Sequence, residues 1–328
     1  MFKLTTPHFL TGEELSHEEL MNLLHCAIYL KAHKRQKVLQ DKTLALLFEK
    51  SSLRTRMSFT VGIEQLSGSV IEIISTQRKK ETPADTIRVM QGYVDGLMIR
   101  TFEHEILEEM AKHSEIPIIN GLSDLHHPCQ ALADLQTLLE RFGKLQGMKL
   151  CYVGDGNNVL HSLLLLAPFV GVDVHFACPE GYQPDSKILA RAKVRAQAGG
   201  AEIKEFKTPQ EAVAGAHSIY TDVWTSMGQE EEQTERLNAF AGYQVNRELH
   251  SLADSKAIIM HCMPIHEDQE ITREMIEHSC SVLFQQSENR LHAQKALLTG
   301  LYSFEEMRPW QQHPKQTPAQ DCKPFVNF

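Results

Sequence analysis

The chain has no excess of positive charge: 33 Lys and Arg against 42 Asp and Glu leave a formal net charge of −9 over 328 residues. That balance excludes general affinity for nucleic acid, while leaving room for a local basic pocket. It also has no close C-x-x-C pair. Seven cysteines lie scattered at 26, 129, 151, 178, 262, 280 and 322, an odd and dispersed set that argues for reduced thiols in a cytoplasmic setting. No apolar run can span a bilayer; the longest, around Leu163 to Val170, is far too short. The first residues, Met-Phe-Lys-Leu-Thr-Thr-Pro, lack the apolar core of a signal peptide. There is no internal repeat. No cluster has metal-ligand spacing either, because the adjacent His126 and His127 cannot easily chelate one ion. What remains is an ordinary globular composition, 42% hydrophobic and 23% charged, at a length that suits two domains.

Short apolar runs alternate with amphipathic stretches along nearly the whole chain. After a helix predicted over Glu13–Arg35, strands are expected at Thr43–Phe48, Val70–Ile74, Leu97–Thr101 and Pro117–Asn120, separated by helices and followed by a longer helix at Pro128–Phe142. A second series runs through Lys149–Val153, Val172–Ala177, Ile203–Phe206, Ser218–Thr221, Ala257–His261 and Ser281–Phe284, with a closing helix at Arg290–Tyr302. The pattern predicts an α/β protein of two doubly wound parallel-sheet domains with helices on both faces, joined near residues 140–148. The Pro- and Gln-rich residues 309–328 read as a peripheral tail. In such sheets ligands bind beyond the carboxyl ends of the strands, and the unusual polar clusters all fall there.

The first is Ser51-Ser52-Leu53-Arg54-Thr55-Arg56, between a buried strand and a helix. Ser52 is a good N-cap, but two arginines in the first turn add to the positive end of the helix dipole. An anion, phosphate above all, makes sense of them; the alternative is pairing with acidic neighbours. Arg100 leaves a strand end, and His127 with Gln130 opens a helix, offering donors to a carbonyl and an amide. Gly154-Asp155-Gly156-Asn157-Asn158 resembles a dinucleotide fingerprint, but Val159 occupies the third glycine position and the match fails. Either asparagine can instead hold a small polar ligand. Asp222 follows another strand, placed to bind an ammonium group. Cys262 follows His261 at a strand end and reads as nucleophile, ligand contact or small apolar residue. Glu288-Asn289-Arg290 is predicted to open the last helix.

Taken in order, Ser52-Leu53-Arg54-Thr55-Arg56, His127-Pro128-Cys129-Gln130, Asp222-Val223-Trp224-Thr225-Ser226-Met227-Gly228 and His261-Cys262-Met263-Pro264 resemble the signature of the aspartate/ornithine carbamoyltransferase superfamily. The Ser226-Met227-Gly228 loop and the Asp155–Asn158 turn are similar to its ornithine carbamoyltransferase branch, and the likeness runs from about Leu44 to Tyr302. The resemblance implies transfer of a carbamoyl group from carbamoyl phosphate to the δ-amine of L-ornithine, giving L-citrulline and phosphate, in arginine metabolism. It implies an active site in an interdomain cleft, no cofactor or metal, and a trimer or multiple of trimers. It assigns residues 1–142, with the helix near 290–303 packed back on them, to carbamoyl phosphate, and residues 148–289 to ornithine.

Residue by residue, the resemblance places Ser52, the Leu53 backbone N–H, Arg54 and Thr55 on the phosphate. Arg100, His127 and Gln130 fall on the carbamoyl group, with Arg290 nearby in the carbamoyl-phosphate site. Asn158, Asp222, Ser226, Met227, Cys262 and Met263 fall on ornithine, with Leu122 and Cys262 near its δ-amine. Arg100, His127, Cys262 and Arg290 are the expected catalytic set. One segment departs from the family. Thr76-Gln77-Arg78-Lys79-Lys80-Glu81 stands where relatives carry a Gly-containing loop that reaches the neighbouring subunit's site. Thr76, Gln77, Lys79 and Lys80 are therefore expected neighbour contacts, with a solvated basic loop as the alternative.

Overall fold

The computed structural model describes residues 2–74, 81–225 and 232–303. Contacts divide the chain into two units, one running to Gln136 and resuming at Glu288, the other Thr137–Ser287. In the first unit the order is α1 (His17–Ala32), β1 (Thr43–Phe48), α2 (Leu53–Gln65), β2 (Ser69–Ile74), α3 (Pro83–Met90), β3 (Gly96–Arg100), α4 (His104–Lys112), β4 (Ile118–Leu122) and the start of α5 (Pro128–Phe142), whose last residues from Thr137 on belong to the second. The second contains β5 (Lys149–Val153), α6 (Asn158–Leu166), β6 (Asp173–Ala177), α7 (Ser186–Gly199), β7 (Ile203–Glu205), α8 (Pro209–Val213), β8 (Ser218–Thr221), α9 (Gln233–Ala239), α10 (Arg247–Ser251), β9 (Ile258–His261) and α11 (Arg273–Glu277). The closing helix α12 (Leu283–Tyr302) begins there and continues into the first unit's segment.

Both sheets are parallel. The first has the order β2-β1-β3-β4 and the second β7-β6-β5-β8-β9. Central strands are buried throughout, as in β1, where Leu44 to Phe48 are all covered, because helices lie on both faces. In each sheet the chain starts in the middle, moves to one side, then returns to build the other. The order therefore reverses between β1 and β3 in the first unit and between β5 and β8 in the second. Diverging loops leave a crevice at the carboxyl end of each such pair. Those two crevices are where the polar clusters gather.

Local chemistry sets the boundaries. The helix predicted over Glu13–Arg35 begins later, at His17, because Ser16 caps it and Glu19 completes a capping box. The strand expected at Ser281–Phe284 is not one. Ser281 makes an isolated bridge to Ile259, and α12 starts at Leu283. The apolar run Val282-Leu283-Phe284 looks strand-like in sequence, but buried Gln286, Asn289, Arg290 and Ala293 carry the helical period onward. Arg290 thus sits inside a 20-residue helix, not at its opening. Lys295, fully buried, ties α12 down: its Nζ donates to the Leu30 and Lys34 carbonyls at 3.3 and 2.6 Å and to Gln65 Oε1 at 2.8 Å. Gly62 on α2 makes room for it, since a Cβ there would lie 3.3 Å from Lys295 Cγ.

Candidate active site

At the β1/β3 crevice, Ser52 caps α2 by accepting the Thr55 N–H at 3.2 Å, which fixes the first turn. Thr55 is fully buried and takes two guanidinium donors on its hydroxyl oxygen, Arg290 Nη2 at 2.6 Å and Arg100 Nη1 at 3.4 Å. With its lone pairs so engaged, the Thr55 O–H is left to donate elsewhere. Arg54 leaves the same turn. Its buried Nε has no hydrogen-bond partner among the described residues, a costly state for a cation's donor unless an anion completes it. Arg56, by contrast, reaches Glu72 on β2 at 2.5 Å.

His127 immediately precedes α5 and is almost wholly buried. Burial, reinforced by the charges of Arg290, Arg100 and Arg54, holds its ring well below the ordinary histidine range. The ring is therefore neutral at pH 7, able to donate one N–H hydrogen bond without adding charge. Gln130 lies three residues on; its amide Nε2 donates to Asp134 Oδ1 at 2.8 Å, leaving a buried carbonyl oxygen with no partner among the described residues. Cys129 between them turns inward to the Asn120 carbonyl, and burial pushes its thiol up to about 12. The first unit thus assembles three arginines, a neutral imidazole, a hydroxyl and an open amide oxygen. Such a set can bind an oxyanion and polarise a carbonyl.

The β5/β8 crevice of the second unit is built around Asp222, which is buried. Asn157, the N-cap of α6, accepts the Val159 and Leu160 N–H groups through Oδ1 and donates through Nδ2 to Asp222 Oδ2 at 2.7 Å. Asp222 Oδ1 accepts the Val223 N–H at 2.8 Å and the Cys262 thiol at 2.9 Å. A carboxylate has roughly four acceptor positions. With three used among the described residues, room is left for a cationic N–H.

Asp222, His261 and Cys262 bring donor atoms within 4.8 Å of one another. Both His261 nitrogens are committed, however: Nδ1 accepts the Met263 N–H at 2.8 Å and Nε2 faces Glu270 at 3.0 Å. His261 is consequently not a base for Cys262. Instead it holds Met263 at φ +57°, a left-handed conformation unusual for a side chain with a Cβ.

The structure therefore places Ser52, Arg54, Thr55, Arg100, His127, Gln130 and Arg290 in one unit, and Asp222, Cys262 and Met263 in the other. Leu53 is exposed beside Arg54, and Leu122 closes β4. Asn158 opens α6 next to the cap, but the residue touching Asp222 is Asn157. The N-cap rule applied to that turn would have singled it out. Ser226, Met227, Thr76, Gln77, Lys79 and Lys80 lie outside the described residues.

Arg236 carried no sequence signal. It pairs with Asp155 at 3.0 Å and donates to the Trp224 carbonyl at 2.9 Å, tying the β5 loop to the β8 loop. Burial outweighs that pairing and pushes the Asp155 carboxyl up to about 6.

Comparison with known proteins adds the family. Residues 7–140 match the aspartate/ornithine carbamoyltransferase carbamoyl-P binding domain, and residues 146–301 its Asp/Orn binding domain. An ornithine carbamoyltransferase of Bacillus cereus is 49% identical over 303 residues, covering 92% of this chain and 96% of the relative. The solved ornithine carbamoyltransferase from Pyrococcus furiosus is 43% identical with a TM-score of 0.88, covering 92% of this chain and 99% of that one. A more distant acetylornithine transcarbamylase, solved with acetylcitrulline, is 27% identical with a TM-score of 0.83, covering 91% and 100%.

Proposed function

The chain belongs to the aspartate/ornithine carbamoyltransferase family and is a carbamoyltransferase, and within that family we propose that it transfers the carbamoyl group of carbamoyl phosphate to the δ-amine of L-ornithine, yielding L-citrulline and phosphate. The observation that carries this reading is the meeting of Arg54, Arg100 and Arg290 around neutral His127 and buried Thr55. Arg54, the capped α2 terminus and the Leu53 N–H hold the phosphate. The carbamoyl oxygen takes hydrogen bonds from Arg100, His127 and the Thr55 hydroxyl, with Arg290 seating Thr55. The open Gln130 carbonyl accepts from the carbamoyl NH2 group.

The neutral δ-amine attacks the carbonyl carbon. Negative charge grows on the carbonyl oxygen, where each positioned donor is worth roughly 3 kcal/mol. The bond to the phosphate oxygen then breaks, the electron pair departs on the phosphate that Arg54 neutralises, and that oxygen takes the proton the δ-nitrogen sheds.

Asp222 takes the α-ammonium of ornithine at its remaining acceptor position, with Asn158, Ser226 and Met227 on the same amino-acid end and Cys262 and Met263 beside the chain. The identity to relatives named ornithine carbamoyltransferase supports this substrate, as does the Ser226-Met227-Gly228 sequence.

The catalyst is a cytoplasmic homotrimer, or a multiple of trimers, in arginine metabolism. Exposed apolar side chains on α2 and the edge strand β2 (Met57, Ile71 and Ile74) suit a subunit boundary, and Lys79 or Lys80 supplies the neighbour's phosphate with a cation. Among the described residues no helix is long and apolar enough to cross a membrane. The deciding assay offers carbamoyl phosphate with ornithine, N-acetylornithine, putrescine and aspartate in parallel. Preference for any acceptor other than ornithine refutes the assignment.

A further inference from the structure

Cys280 differs from the other described cysteines. Cys26, Cys129, Cys151, Cys178 and Cys262 are buried, whereas Cys280 keeps partial solvent access. Burial pushes the Cys26 and Cys129 thiols up to about 12 and raises those of Cys151 and Cys178 as well, which keeps them protonated and inert. Cys280 sits instead between two imidazoles, with Sγ 2.9 Å from His278 Nδ1 and 3.3 Å from His250 Nε2.

The remaining partners decide which ring nitrogen carries hydrogen. His250 Nε2 lies 3.1 Å from the Ala257 carbonyl, which can only accept, so this nitrogen bears the proton. His278 Nδ1 lies 3.3 Å from the Cys280 backbone N–H, which can only donate, so this nitrogen offers its lone pair. The thiol therefore faces a proton acceptor on one side and an N–H donor on the other. Moving its proton to His278 leaves a thiolate stabilised by the imidazolium charge and by the His250 Nε2–H, which it shares with the Ala257 carbonyl. The sulfur is also held in place: the Cys280 carbonyl accepts the Ile259 N–H at 3.1 Å, and the next residue but one, Val282, donates to the Ile259 carbonyl at 3.0 Å. Both histidines, like the cysteine, are only partly buried, so a small reagent has a route to the sulfur.

We propose that Cys280, with His278 as its base and His250 as its hydrogen-bond donor, is an activated thiol that exchanges with low-molecular-weight disulfides. The thiolate attacks one sulfur of R–S–S–R, a Cys280–S–S–R bond forms as the reagent's S–S bond breaks, and the departing R–S⁻ takes the proton held by His278. Cysteine is oxidised and the leaving sulfur reduced, so no further reactant is required. The site is independent of carbamoyl transfer, because none of its three residues belongs to either cluster described above.

The test treats the full chain at pH 7, in chelator, with the disulfide 5,5′-dithiobis(2-nitrobenzoate), and assigns each modified cysteine by peptide mass spectrometry. A free cysteine is only a few per cent thiolate at this pH, and a lowered thiol pKa trades some nucleophilicity for a larger thiolate fraction. The expected result is a Cys280 rate roughly 5- to 10-fold higher in the folded chain than in the same chain unfolded in urea. His278→Gln and His250→Gln, each checked by circular dichroism, should bring the folded rate down toward the unfolded one. A folded rate at or below the unfolded rate overturns the proposal without recourse to any variant. So does a His278→Gln chain that stays folded and reacts as fast as wild type.

Discussion

Arg54 belongs to the basic cluster around His127. Its neighbour Thr55 is shared by Arg100 and Arg290, while Arg54 Nε has no hydrogen-bond partner among the described residues. Removing that side chain should cost catalysis and spare the fold. Arg54→Gly is expected to lower kcat by roughly 10²–10³, with Tm within a few degrees of wild type; near-wild-type turnover would contradict its place on the leaving group. His127 gives a pH-dependent consequence with a definite sign. Its folded pKa is depressed, chiefly by burial and then by the three arginines, so below the unfolded value of 6.5 the unfolded chain binds a proton that the folded chain does not. Its contribution is therefore fully present above pH 6.5 and is lost as pH falls from there toward the lowered folded value. In urea titrations at successive pH values, His127→Gln should lose stability less steeply than wild type between pH 6.5 and 5.

At the scale of elements, helix termini carry the sites. Asn157 caps α6 and steadies Asp222 with the same carboxamide, so Asn157→Ala removes both functions. The cap alone is worth about 1 kcal/mol, measurable as a shift in the urea midpoint; a raised KM for ornithine with kcat less affected would report the freed Asp222. The opposite end of α2 depends on Lys295, whose ammonium satisfies Leu30, Lys34 and Gln65. Burial lowers its pKa to about 8, so between pH 8 and the unfolded value of 10.5 the unfolded chain binds more protons and folding gains stability as pH rises. Lys295→Met lacks that titration. The stability of wild type relative to Lys295→Met should increase from pH 8 to 10; a flat difference would show that Lys295 stays charged throughout.

For the whole molecule, the exposed apolar side chains of the first unit bear on the proposed trimer. Ile74 ends the edge strand β2 and is 67% exposed, and Met57 on α2 is 56% exposed. Edge strands left in that state invite pairing. Sedimentation should give a mass of three times the 37.2 kDa chain or a multiple of it, and Ile74→Glu should shift the distribution toward monomer with loss of activity. A fully active monomer would remove the proposed neighbour contribution at Lys79 and Lys80.

Much of the molecule was legible in the chain because its signals are local. Buried parallel strands need continuous apolar runs, so Thr43–Phe48, Lys149–Val153 and Ser218–Thr221 stand out with their observed limits. Arg54 in the first turn of α2 pointed to an anion through the helix dipole alone, whereas Arg56 takes the alternative and pairs with Glu72. What the sequence could not decide depends on partners distant in the chain. Ser281–Phe284 has a strand's short apolar run, yet helix formation prevails because burial repeats at helical spacing through Gln286, Asn289 and Arg290. Only the fold shows that Arg290 meets Thr55 across 235 residues, that His261 serves Glu270 and Met263 instead of Cys262, and that Arg236 ties Asp155 to Trp224. Motif order names the chemistry because it lists the groups. Their protonation and orientation arise from burial and neighbouring charge, which exist only once the chain has folded.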